Sequence, residues 1–196
     1  MAYPSVAAPY GLVPVRMVNG SPYNGATRQY KIASGYATSI FNGDAVKLVT
    51  GGTVERDAAD AAMTPVGVFL GCSYTDPDMG LVFKNYYPAS TVASDIVAYV
   101  CDDTNVLFKV AIVSSGTTIA DLAQTDVGAN VAMVDNTGST ATGKSKIAAS
   151  DTSATTNTLP LRIVGLVEET KNASGGYTEA LVKWNAGHAF DTTTGI

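Results

Sequence analysis

Short apolar or alternating runs, spaced about ten residues apart with turn formers between them, constrain this chain more than any other feature. They are Thr27–Ile32, Ala45–Val49, Pro65–Tyr74, Leu81–Tyr86, Ile96–Cys101, Val106–Val113, Asn130–Val134, Leu161–Glu168 and Ala180–Trp184. In Tyr30-Lys31-Ile32 and Val106-Leu107-Phe108-Lys109-Val110 a lone lysine interrupts the apolar residues. Successive side chains of a strand point to opposite faces, so such lysines mark the solvent side of a half-buried strand. The spacing predicts a mainly β fold, a β-barrel or β-sandwich. Only Ala58–Met63 and Ile119–Gln124 could each supply one or two helical turns.

An internal echo runs through the β region. Gly43-Asp44-Ala45-Val46-Lys47-Leu48-Val49 is answered by Gly128-Ala129-Asn130-Val131-Ala132-Met133-Val134. Each is followed by a proline-led strand, Pro65-Val66-Gly67-Val68-Phe69-Leu70-Gly71 and Pro160-Leu161-Arg162-Ile163-Val164-Gly165-Leu166. Glycine inside a strand commonly marks a bulge or a barrel corner. The echo predicts pseudo-twofold character in the barrel.

The flanks read differently. Residues 1–26 carry Pro4, Pro9, Pro14 and Pro22 with the turn pairs Asn19-Gly20 and Asn24-Gly25. Proline fixes φ, removes a donor and pushes the preceding residue towards extended geometry, so this is an extended N-terminal arm. As a docking arm on a neighbouring chain it would use Tyr10, Leu12, Val13, Val15, Arg16 and Met17, with Tyr23 and Trp184 as further aromatic candidates. The arm lying on its own domain is the alternative, and Trp184 reads equally as core. A β-rich domain spans 27–190 and a short tail 191–196. Within the domain, the Gly/Ser/Thr-rich stretch 135–158 has little to bury besides Ile147, and reads as an exposed loop or excursion.

Composition narrows the chemistry. Charged residues make up 15% of the 196, against roughly 25% in an ordinary domain, and there is a single histidine. The net charge of −5 and scattered cations argue against direct nucleic-acid binding. No apolar run reaches the ~18 residues that span a bilayer, and no leader pattern opens the chain, so synthesis in the cytoplasm is expected. Cys72 and Cys101 lie in strand-like runs without metal-ligand spacing and read as buried, reduced thiols. Gly138-Ser139-Thr140-Ala141-Thr142-Gly143-Lys144-Ser145 matches the phosphate-binding pattern GxxxxGK[ST], which would make the chain an NTPase. That pattern needs a following helix, and Lys146-Ile147-Ala148-Ala149-Ser150-Asp151 is a poor one. His188 has no evident catalytic partner. Asp76-Pro77-Asp78 and Asp102-Asp103 read as turns, with a bound cation as the other possibility. The chain is expected to be no enzyme and to carry no cofactor.

Several stretches resemble a family of tailed-bacteriophage virion proteins, the capsid decoration or cement proteins. They are Pro9-Tyr10-Gly11-Leu12-Val13-Pro14-Val15-Arg16 with Asn19–Thr27, Asp126-Val127-Gly128-Ala129-Asn130 with Gly138–Gly143, Leu159–Val167, and Leu181-Val182-Lys183-Trp184-Asn185. The resemblance implies a β-rich protein on the outside of an icosahedral head, binding the major capsid protein and itself, as a homotrimer or a dimer. It implies no catalytic residues. Another virion part, such as a major capsid, tail-tube or head-fibre protein, is the alternative.

Overall fold

The structure, a computed structural model, describes residues 6–58 and 61–191. It is 47% strand and 3% helix, which makes the fold mainly β. In chain order the strands are β1 (Val13–Met17), β2 (Arg28–Lys31), β3 (Ile40–Phe41), β4 (Ala45–Leu48), β5 (Val54–Arg56), β6 (Pro65–Asp76), β7 (Gly80–Lys84) and β8 (Tyr86–Tyr87). They continue with β9 (Val97–Cys101), β10 (Val106–Ser115), β11 (Thr118–Ile119), β12 (Asn130–Val134), β13 (Ala148–Ala154), β14 (Leu161–Leu166) and β15 (Glu179–Trp184).

β10, β15, β14, β12 and β13 form a closed ring. Every step round it is antiparallel except the closure of β13 on β10, which is parallel, with Ile112 opposite Ala149. β2, β9, β6, β4 and β5 follow one another in the same order and the same directions. A parallel bridge between Lys31 and Thr53 brings the ends of that sheet together. Strand for strand, β2 answers to β10, β4 to β12, β5 to β13, β6 to β14 and β9 to β15. The chain is one five-stranded arrangement used twice in tandem, a closed ring in the second unit and a sheet in the first, so the echo expected within one barrel is carried by two units.

The residues of the echo do matching work. Gly43 and Gly128 stand at φ +96° and +94° just before β4 and β12, where the turn into the strand needs left-handed backbone. Gly71 and Gly165 each sit at a register shift, of β6 against β9 and of β14 against β15. An extra residue there bends the strand and sharpens its twist, which helps a sheet close on itself.

The two-residue period decides which core a side chain joins, since β6 and β10 are buried on both faces. Phe108, Val110 and Ile112 of β10 join Val131 and Met133 of β12, Leu161 and Ile163 of β14, and Val182 and Trp184 of β15 in one buried cluster. Ala45, Val68 and Cys101 of the first unit enter the same cluster, so the two units share a core. Val46, Phe69, Cys72, Ala98 and Val100 fill the first unit from its other face, with Ile40 and Tyr87. Both cysteines are free and buried.

The arm lies on its own chain from Pro9 onward. β1 pairs antiparallel with β10, with a register shift between Pro14 and Arg16. The amides of Gly11 and Leu12 donate to Ile147 and Gly43, one carbonyl from each unit. The Gly/Ser/Thr-rich stretch is a loop only as far as Ile147. From Ala148 it is β13, because ladder bonds come from the backbone and small side chains fit under neighbouring strands, Ala148 and Ala149 being fully buried. Of Ile119–Gln124 only the last residue is helical: Thr118–Ile119 is strand, and a single 3-10 turn covers Gln124–Asp126. The Ala58–Met63 expectation falls partly on residues outside those described.

Candidate docking surface

β6 is 12 residues long and runs past β4, which pairs only its first residues. On the edge that β4 leaves, Cys72–Asp76 pairs with β7, while Gly71, Cys72 and Ser73 keep their pairing with β9 on the other edge. Asp76 caps the hairpin turn by accepting the amides of Asp78 and Met79 at 3.0 and 3.1 Å. Asp76-Pro77-Asp78 is therefore a turn whose first carboxylate is occupied by backbone. Val82 packs inward against the core of the first unit, and Lys84 lies over the Tyr74 ring at 5.6 Å. Alternation then turns Leu81 and Phe83 outward, 63% and 69% exposed, with Met79 beside them at 65%. Phe83 stacks on Tyr99 at 6.5 Å between ring centroids, and the Tyr99 hydroxyl meets Ser73 Oγ at 3.1 Å. Asp95 receives the amide and hydroxyl of Thr75, which hold its carboxyl below the usual range and tie the turn end of the hairpin to the segment entering β9. The result is an exposed apolar row on a strand that pairs only with β6 among the described residues, the strongest candidate on the fold for a docking surface.

The residues proposed from sequence as docking contacts are spread differently. Leu12 is fully buried and Trp184 is 2% exposed, packed against Phe108 at 5.8 Å. The Tyr10 hydroxyl donates to Glu179, while Lys109 covers its ring at 5.4 Å and bridges to Glu179 at 3.3 Å. Burial and the neighbouring Glu179 push the Tyr10 phenol well up. Met17 and Tyr23 pack on the shared core, and Val13 is half-buried. Val15 and Arg16 reach solvent, as does Val18 just past β1.

No protein-family model, curated protein or solved structure matches the chain. The remaining chemistry must be read from the structure itself. Within Gly138–Ser145 the Ser139 amide donates to Lys144, Gly143 to Ser139, and Ser145 to Asn42. The stretch leads into β13 and not into the helix that the phosphate-binding pattern needs. The loop lines an open cleft of about 620 Å³ with Arg56 and Lys146. The Arg56 guanidinium is held by Asp44, Asp135 and the Asn136 carbonyl.

His188 is buried between Trp184 and Phe190, and its Nδ1 accepts the Phe190 amide at 3.3 Å. Burial pulls its pKa down, against weaker opposing pulls from Asp191 and other neighbours. Asp102 takes Arg28 at 3.0 Å and the Tyr30 hydroxyl at 2.7 Å, and Asp103 accepts the Asn105 amide. Among the described residues no group of three or more His, Cys, Asp and Glu is placed to hold a metal, and no helix is long and apolar enough to cross a membrane.

Leu81 and Phe83 were legible as part of a strand but not as a surface, and Met79 lay outside the run. Leu81-Val82-Phe83 is apolar on both faces, and only the fold reveals that one face has no cover.

Proposed function

We propose that this chain is a structural virion protein that cements a bacteriophage head by binding other protein chains on its outer surface. The single observation that carries the reading is the row Met79, Leu81 and Phe83, large apolar side chains left exposed along a strand that pairs only with β6 among the described residues. Burying apolar surface supplies the main driving force for association, at roughly 25 cal/mol per Å² before the costs of immobilisation. The resemblance of the arm and of the β14 and β15 strands to decoration proteins supplies the identity of the assembly, with the major capsid protein as partner. The exposed Val15, Arg16 and Val18 on the arm side are the contacts assigned to the capsid. Several modest contacts of this kind, each engaging a different shell subunit, combine through effective concentration into firm attachment.

The test is co-sedimentation of the purified protein with expanded phage heads lacking their decoration protein. Binding that saturates and raises the temperature at which the heads rupture supports the proposal, and Arg16→Glu should weaken it. Heads that sediment without the protein overturn it.

A further inference from the structure

We propose that two copies of this chain join through β7, strand against strand and antiparallel, about a twofold axis at Val82. The inference rests on the reading of the apolar row as an association surface and names what covers it. A strand at a sheet edge offers a row of unpaired main-chain donors and acceptors, and folds usually blunt such edges with proline, bulges or inward charge. Gly80–Lys84 has no proline, and its pairing with β6 runs from Gly80 to Lys84 without a register shift. Its three central residues are apolar, and its outer edge has no strand partner among the described residues.

The strand is also complementary to itself. Antiparallel pairing centred on Val82 sets Leu81 opposite Phe83 of the second copy and, by symmetry, Phe83 opposite its Leu81. Directly opposed aromatic and aliphatic side chains on one face are the stabilising unit of an antiparallel pair. The same register sets Gly80 opposite Lys84 of the second copy. Gly80 faces Asp76 across the β6–β7 ladder and has open space where a Cβ would stand. Lys84, which in the single chain lies over its own Tyr74 ring, would swing off it to cross that gap and add its charge beside the Asp76 carboxylate of the second copy, which already accepts the Asp78 and Met79 amides, and the twofold makes the contact twice. A slip of one residue would turn Leu81 and Phe83 to the wrong face and lose both the apolar and the charged pairs. A second copy fits because this strand carries the apolar pair and the cation that its own edge calls for.

Such a contact is smaller than the about 800 Å² per partner of a standard interface, so dimerisation is expected in the micromolar range and above. The experiment is sedimentation velocity on the full-length protein from micromolar to sub-millimolar concentration. A monomer–dimer equilibrium is expected. Leu81→Glu and Phe83→Lys, at exposed positions, should each weaken it by about tenfold because the twofold counts every lost pair twice. The double variant Leu81→Glu/Phe83→Lys places each new carboxylate opposite a new ammonium in this register alone, and should recover dimer at low salt. A monomer throughout, a dimer indifferent to both single changes, or no recovery in the double variant would each overturn the pairing. Head binding separates this from the functional proposal: a monomer that still cements heads leaves that proposal standing, and a dimer that ignores heads removes only that proposal.

Discussion

Gly11 crosses Gly43 backbone to backbone, so closely that a Cβ on Gly11 would stand 3.0 Å from the Gly43 Cα and 2.6 Å from Ser145 Cβ. The arm, the turn before β4 and the loop before β13 meet at this point, and Leu12 then donates its amide to Gly43 at 3.0 Å. Gly11 stands at φ +88°, where a side chain is strained even with space around it. Gly11→Ala is expected to cost about 2–4 kcal/mol, from strain plus overpacking. Gly25→Ala, at φ +82° with nothing near its Cβ, should cost only the backbone strain of roughly 1–2 kcal/mol. Urea unfolding midpoints of the two variants measure the difference.

Leu12 is the side chain that follows this crossing, fully buried in the core shared by both units. Leu12→Ala should cost about 2–5 kcal/mol, as buried leucine truncations do. Val15→Ala, on the exposed side of the same strand, should fall within about 0.5 kcal/mol of the parent. Equal losses from the two would mean that β1 is held by its ladder alone.

Arg56 joins the two units by taking Asp44 of the first and Asp135 beyond β12 of the second. Burial pushes the Asp44 carboxyl up, while the Phe41 amide, Ser145 and Arg56 hold it down. Arg56→Met leaves a fully buried carboxylate without its cation, which should cost about 3–5 kcal/mol near neutral pH. Adding Asp44→Asn should return part of that loss. A double-mutant cycle in urea gives the coupling, and strict additivity would refute it.

How much of this was legible in advance depended on whether a residue's constraint was local. Gly43, Gly128, Gly71 and Gly165 could be read because a turn or bulge demands glycine whatever surrounds it, so the echo survived into matching strands. β5 and β13 were not read. Val54–Arg56 is only three residues long, and Ala148–Ala154 has no apolar stripe. Both are strands because neighbours offer ladder partners, a tertiary fact. The arm's prolines made its extended shape readable, but not that Leu12 would bury in its own core. The docking surface was hidden for the same reason, since an apolar strand reads alike whether its second face is covered or bare.

His188 gives the protein an acid-sensitive element. Its pKa lies below the usual 6.5 in the folded chain because the ring is buried, whereas the unfolded chain titrates near 6.5. As pH falls through that value the unfolded state gains a proton that the folded state resists, so stability drops with falling pH and is fully retained above it. Stability measured by urea at a series of pH values between 5 and 7.5 should decline on the acid side. His188→Gln should flatten that decline, and an unchanged slope would assign the acid sensitivity to other groups.

The two thiols report whether the tandem units open together. Burial pushes Cys72 up to about 12 and Cys101 up to about 11, so neither is a thiolate at pH 8 in the folded state. Cys72 lies inside the first unit, while Cys101 lies in the core shared with the second. Native protein should therefore react negligibly with a disulfide reagent, and labelling should follow opening of the structure. Because Leu12, Ala45 and Val68 mix with β10–β15 side chains in one cluster, exposing Cys101 requires breaking contacts that both units need. Single-cysteine variants, Cys72→Ala and Cys101→Ala, should then label at similar rates in mild denaturant, each matching global unfolding. Labelling of Cys72 well before Cys101 would mean that the first unit opens alone, with the shared cluster held by the second.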